Sequence, residues 1–220
     1  MHPPGWLKAH ALSFGAASPG LWRWSHYFDL YEEHFRHLVD TDAGVLEVGV
    51  FSGGGLKLWR DYFVPAARLY GADISPNVTA YDGNPLYGSP KMFVGAQSDP
   101  SFWEHVRSEA PQLDLIIDDA SHIGRDQLAM FREMWPHIRP GGVYWIEDLH
   151  PPVNYATPPA MARMSQNITF MRNVRSMTFH KGIVVLHKET HDVPAVSMRR
   201  GGRWQSESFW QSGGAEQRVG

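Results

Sequence analysis

The chain has 220 residues, enough for one domain with a short extension and for burial of roughly 70% of its unfolded surface. Its 20 basic and 23 acidic side chains give a net charge of −3, which argues against the basic excess that nucleic acid or an anionic membrane demands. There is no cysteine, so disulfides, thiolate-bound zinc, iron–sulfur clusters and thiol nucleophiles are excluded, and any metal is held by oxygen or by the 12 histidines.

Residues 1–21 mix Gly, Pro, Ala and Ser without a period and read as a loose arm. They lack the basic start and apolar run of a secretory signal, and no later stretch approaches the roughly 20 apolar residues of a membrane span, so a cytoplasmic protein is expected. Tyr27, Leu30, Tyr31, Phe35 and Leu38 recur at helical spacing, which predicts a helix within 22–38 that packs an aromatic face on a core. Strands are predicted at 45–51, 68–74, 91–96, 113–119 and 142–149. Helical stretches follow the first, third and fourth, at 54–62, 101–108 and 124–138. Such alternation implies βαβ units around a parallel sheet. After Pro151 a Pro/Met/Asn-rich stretch reads as a loop or lid at 151–165. Two β-rich runs, 176–180 and 182–188, flank Lys181-Gly182 and predict an antiparallel hairpin. The domain is thus expected to span 22–192, with a polar, glycine-rich tail at 193–220.

The first strand runs into Glu47-Val48-Gly49-Val50-Phe51-Ser52-Gly53-Gly54-Gly55. Glycine permits a sharp turn and the approach of a ligand to bare peptide N–H groups. The spacing is wrong for a pyrophosphate-binding G-x-G-x-x-G. A carboxylate at Glu47 suits an amine-bearing ligand without phosphates, a description that S-adenosylmethionine meets. A plain strand-to-helix turn is the alternative. Asp73 ends the second strand, where an acid commonly takes a ribose diol; a cap on the next turn is its other reading. Gln97 and Ser98 follow the third strand and can reach an adenine edge.

The fourth strand ends in Asp118-Asp119-Ala120-Ser121-His122 and the fifth in Glu147-Asp148-Leu149-His150. Ligands of open α/β sheets bind beyond the carboxyl ends of the strands, so these residues converge. Four carboxylates in one place repel unless a cation or a proton neutralises them. Hard oxygen ligands point to Mg²⁺, with Mn²⁺ or Ca²⁺ as substitutes. Strand alternation puts Asp118 and Asp119 on opposite faces, one toward a cofactor and one toward a metal. The competing reading is that these acids, or Ser121, cap the following helices. His122 is either a base near the metal or a surface histidine at a helix start, and His150 is either a lid contact or a substrate contact.

The segments LEVGVFSGGGLKLW, YGADIS, GAQSD, IIDDASH and PGGVYWIEDLH, in this order, resemble the metal-dependent sugar O-methyltransferases of antibiotic biosynthesis, of the mycinamicin and tylosin macrolide type. The cephalosporin-hydroxylase-like proteins share the same motifs. The resemblance covers roughly residues 22–190. It implies a Rossmann-like class I methyltransferase fold, whose mostly parallel sheet ends in an antiparallel hairpin. It also implies S-adenosylmethionine as methyl donor, with Glu47, Gly49, Gly53, Asp73, Gln97, Ser98 and Asp118 around it. Mg²⁺ is implied at Asp119, Glu147 and Asp148, with His122 as the base. The acceptor is then a small molecule, a glycosylated natural product, met by His150 and by Tyr155 in the 151–165 loop; a homo-oligomer is open. Three positions depart from the family's usual residues: Gly55, Ala96 and Ala120. A non-catalytic S-adenosylmethionine-binding module and, with less support, a nicotinamide oxidoreductase are the alternatives.

Overall fold

The computed structural model describes residues 2–63, 66–149, 157–164, 170, 172–191, 199–200 and 203–204. Seven strands form one sheet in the order β3-β2-β1-β4-β5-β7-β6. They are β1 (Gly44–Val48), β2 (Arg68–Asp73), β3 (Lys91–Val94), β4 (Leu113–Asp118), β5 (Ile138–Ile146), β6 (Val174–His180) and β7 (Ile183–Lys188). The first five pair in parallel, while β7 runs antiparallel to both β5 and β6. That one reversed insertion is the expected hairpin, closed by Gly182 at φ 78°. An all-parallel nicotinamide-binding sheet does not form. Residues 199–200 and 203–204 make a separate two-stranded ladder.

Every residue of β1 and β4 is buried, because layers of side chains cover both faces of the sheet. Leu46, Val48, Ile116, Tyr144 and Ile146 face one layer with α4 (Pro100–Glu109) and α5 (Gly124–Met134). Val45, Leu115, Ile117, Val143 and Trp145 face the other, with α2 (Tyr27–Phe35) and α3 (Gly54–Phe63). Tyr31 and Phe35 of α2 and Trp59 and Phe63 of α3 are fully buried there.

Several segments differ from the sequence expectation. The presumed loose arm holds a helix, α1 (Trp6–Leu12), with Leu7 fully buried. Its start carries no side-chain cap of its own; the Glu32 carboxylate of α2 accepts from the N–H groups of Gly5 and Leu7, both at 2.7 Å. The aromatic helix starts at Tyr27 rather than Trp22, which leaves residues 20–24 as a loop over the strand ends. Within the expected lid, residues 157–164 form α6 (Thr157–Met164) and pack on α5; the remainder of that loop and most of the 193–220 tail lie outside the described residues. Among the described residues no helix is long and apolar enough to cross a membrane.

The far end of α2 is fixed by histidines. His34 Nδ1 lies 2.9 Å from His187 Nε2, and its Nε2 lies 3.3 Å from His180 Nε2. Burial pulls the His187 imidazole down from 6.5 to about 4, with His34 adding to the effect, and burial lowers His34 as well. An unfolded imidazole takes up its proton near 6.5, so between pH 6.5 and 4 the unfolded chain binds more protons. Stability is therefore complete above pH 6.5 and is lost as the pH falls toward 4. The expected result is a Tm that drops between pH 7.5 and 5, and drops less in His187→Gln. Equal drops in the two proteins would remove this network as the cause.

Candidate active site

The crevice opens at the carboxyl ends of β1 and β4, the point where strand order reverses. A cavity of about 470 Å³ lies there, lined by residues 47–52, 73–74, 95–98, 119–122 and Asp148, with the 20–23 loop as a roof. The size is within the range of small-molecule sites.

The glycine turn serves the chain's own packing first. A Cβ on Gly49, at φ 92°, would stand 2.0 Å from the Asp119 carbonyl oxygen, and one on Gly54 would stand 2.0 Å from the Gly20 carbonyl oxygen. The turn thus brings the β4 end and the roof loop against β1. Gly53, at φ 81°, turns the chain beside the Tyr87 ring. Asp73 accepts from the N–H groups of Phe51 (3.0 Å) and Ser75 (2.8 Å), which ties the glycine turn to the end of β2. Ser98 is exposed on the rim.

Asp118 and Asp119 point to opposite layers. The fully buried Asp118 accepts at Oδ1 from Gln97 Nε2 (2.6 Å), and Gln97 Oε1 accepts from Ser121 Oγ (2.7 Å). Gln97, which also lines the cavity, therefore stitches the ends of β3 and β4 together. Asp118 Oδ2 is buried without a hydrogen-bond partner, and burial pushes this carboxyl up to about 7.

On the other face, strand parity aligns Glu47, Asp119 and Glu147. The registers Glu47↔Ile117 and Ile117↔Trp145 place Asp119 and Glu147 one row beyond Glu47. Into this row comes a side chain that motif reading did not select, Arg23 of the roof loop. Its Nη2 meets Glu47 Oε1 at 2.7 Å, its Nη1 meets Asp119 Oδ2, and its Nε lies 3.5 Å from Glu147 Oε2. The guanidinium side chain is only 8% exposed. Burial opposes its charge, but the surrounding carboxylates outweigh that and raise its pKa well above the usual value. One cation is shared among three acids. Burial accordingly pushes Glu47 up to about 7 against the pull of Arg23, and raises Asp119 and Glu147 too.

Helix α2 supplies further partners that the sequence reading left in the aromatic core. Tyr31 donates to Glu147 Oε1 at 2.5 Å, and Trp145 Nε1 donates to the same oxygen at 3.0 Å. Tyr27 donates to Asp148 Oδ1 at 2.8 Å, as does Trp24 Nε1 at 3.0 Å. Glu147 thus faces inward and is 1% exposed. Asp119, Asp148 and His122 face one another instead. Their ligand atoms lie within 4.8 Å, with His122 Nε2 4.0 Å from Asp119 Oδ1 and 3.8 Å from Asp148 Oδ2. None of the acids caps α5; Ser121 Oγ accepts from the Ile123 N–H at 3.2 Å. His122 and Asp148 both hold φ 56°, and Phe51 on the same cavity holds φ 48°. Positive φ in non-glycine residues costs of order 1–3 kcal/mol each and gathers at functional sites. His150 and Tyr155 lie outside the described residues.

These residues fit a divalent cation and an amine-bearing cofactor. Two carboxylates and an imidazole converge, and Glu47 Oε2 is buried without a hydrogen-bond partner beside the cavity. One guanidinium leaves the cluster short of positive charge.

No protein-family model matches the chain. It is 37% identical over 153 residues to a tetracenomycin-C rhamnosyl 3'-O-methyltransferase of Streptomyces olivaceus, covering 66% of this chain and 37% of that protein. It is 33% identical over 126 residues to mycinamicin VI 2''-O-methyltransferase of Micromonospora griseorubida, covering 54% of this chain and 30% of that protein. The chain therefore spans about a third of the length of the curated relatives it matches. The mycinamicin-pathway methyltransferase MycE, solved in complex with Mg and SAH, superposes with TM-score 0.67 at 25% identity, over 86% of this chain and 55% of that one. The chain has the Rossmann-like class I methyltransferase fold and, in sequence, resembles the deoxysugar O-methyltransferases of antibiotic biosynthesis.

Proposed function

We propose that this chain is a catalytic unit that transfers a methyl group from S-adenosylmethionine, with Mg²⁺, to a sugar hydroxyl of a glycosylated small molecule. The convergence of Asp119, Asp148 and His122 at the mouth of the cavity beside Glu47 carries this reading. The similarity to proteins named for methylating rhamnosyl and macrolide sugars supports the substrate class. Action in the cytoplasm, without a nucleic-acid or membrane partner, belongs to the same proposal. So does the domain expected over 22–192, to which α1 is joined through Leu7 and Glu32.

S-adenosylmethionine supplies an electrophilic methyl group on a sulfonium, and a divalent cation supplies a Lewis acid that lowers the pKa of a bound hydroxyl. Glu47 offers its unpartnered Oε2 to the donor's amine, and Asp73 offers its carboxylate to the ribose diol. Gly49 and Gly53 shape the turn beneath them. Gln97 and Asp118 fix the floor, with Ser98 at the adenine rim. Asp119 and Asp148 would hold the cation, with Glu147, which accepts from Tyr31, as the third acid. His122 Nε2 would accept the hydroxyl proton as the methyl group passes from the donor sulfur to the acceptor oxygen. That proton then leaves to solvent. Trp22 and Phe51, exposed on the rim with ring centroids 5.4 Å apart, offer apolar faces to a sugar ring, and acceptor contact by His150 and Tyr155 remains part of the proposal on sequence grounds alone.

The test is incubation with S-adenosylmethionine, Mg²⁺ and rhamnosylated or macrolide acceptors, read by mass spectrometry. A gain of one methyl that EDTA stops and Mg²⁺ restores is expected. Methyl transfer that survives EDTA would overturn the metal-assisted scheme.

A further inference from the structure

Arg23 does not belong to any strand-end motif, yet it lies at the centre of the acidic row. Its loop is fixed rather than loose. Ser52 Oγ donates to the Gly20 carbonyl at 2.8 Å, and that carbonyl packs where a Cβ on Gly54 would be. The guanidinium reaches one carboxylate from each of β1, the β4 end and the β5 end. Asp119 is the shared member. Its Oδ2 goes to Arg23, while its Oδ1 faces His122 and the Asp148 cluster. The fit is incomplete, since Arg23 Nε and Glu47 Oε2 are buried without hydrogen-bond partners. An arginine cannot lose its charge in a protein, so no change of pH vacates the position.

We infer that Arg23 is a positioning residue that sets the affinity of the site for a divalent cation. It holds Glu47, Asp119 and Glu147 together as a resident counter-charge, and it competes with the cation for Asp119. The inference rests on the metal centre proposed above. A fixed positive charge a few ångströms from a dication weakens its binding even at high effective dielectric. Loss of that charge leaves three buried acids uncompensated, which a dication can relieve.

Mn²⁺ serves as the probe, titrated calorimetrically into the wild type, Arg23→Gln and Arg23→Lys, with Tm measured in EDTA and in Mn²⁺. Arg23→Gln should bind Mn²⁺ about tenfold more tightly, which is about 1.4 kcal/mol. Its Tm should fall in EDTA and recover most of the loss in Mn²⁺. Arg23→Lys keeps a charge but not the fork, and should bind with intermediate affinity. Should Arg23→Gln not fold in EDTA, the tighter binding of Arg23→Lys relative to wild type carries the test. Equal or weaker Mn²⁺ binding in the folded variants overturns the inference and leaves the metal centre standing. Absence of Mn²⁺ binding in all three proteins overturns the metal centre and this inference together.

Discussion

Asp119→Asn is expected to lower kcat/KM for methyl transfer by about 10³-fold and to weaken Mn²⁺ binding in parallel. Asp119 is the carboxylate that Arg23 and His122 share, Arg23 at Oδ2 and His122 at Oδ1, and it belongs with Asp148 to the proposed cation site. Asparagine keeps the shape and one accepting oxygen, so Arg23 retains Glu47 and the neighbouring Glu147, and the fold should survive. What is lost is the negative charge that a hard dication requires. A single titration with Mn²⁺ and a single turnover assay on the folded variant decide the matter. Wild-type turnover with unchanged Mn²⁺ affinity would place the metal elsewhere.

His122→Ala is expected to cost about 10²- to 10⁴-fold in kcat, the usual scale for a general base, with Mn²⁺ affinity changed less than about threefold. Distance alone does not separate a base from a ligand here, because His122 Nε2 lies at 3.8 Å and 4.0 Å from the two acids. The pair of measurements does. Mn²⁺ affinity that falls together with kcat would make His122 a ligand and remove it as the base. The strained φ of 56° bears on this choice of residue, since a position that must hold its backbone in αL conformation is being used to aim one particular ring.

Much of this arrangement is visible in the one-dimensional pattern, for identifiable reasons. Strands β1, β2, β4 and β5 are apolar because both faces are buried, so their acids stand out at the ends as breaks in the run. Parity within the fourth strand puts Asp118 and Asp119 on opposite faces before any coordinates, whereas the sharing of one face by Glu47, Asp119 and Glu147 depends on the register between strands. Arg23 was not legible. Its first acidic partner is 24 residues away and the others lie on later strands, and its neighbours, Trp22 and Trp24, read as part of an aromatic helix. The unbalanced charge at the strand ends was the available signal: Glu47, Asp73, Asp118, Asp119, Glu147 and Asp148 all stand there, and some cation outside the motifs had to answer them. Helix α1 was missed because it is 7 residues long and buries one side chain, too little for a periodic signature. The glycine turn was recognised as a site, but its tightness proved to be set by backbone packing against Asp119 and Gly20, which no spacing rule reports.

The position of Arg23 has a bearing on how the molecule opens and assembles. The sheet has two halves, β1 to β3 on one side and β4 to β6 on the other, and they meet along the β1–β4 ladder. Each half is stitched by its own short-range connections. The ladder between them joins segments some 70 residues apart, and such non-local pairing forms late because its loop entropy is paid first. Arg23 and Glu47 are 24 residues apart in the chain, whereas three strand-to-strand connections separate Glu47 from Asp119 and a fourth leads to Glu147. The same guanidinium spans the junction, one fork tip on each half, so separating the two halves along this ladder requires breaking both ion pairs.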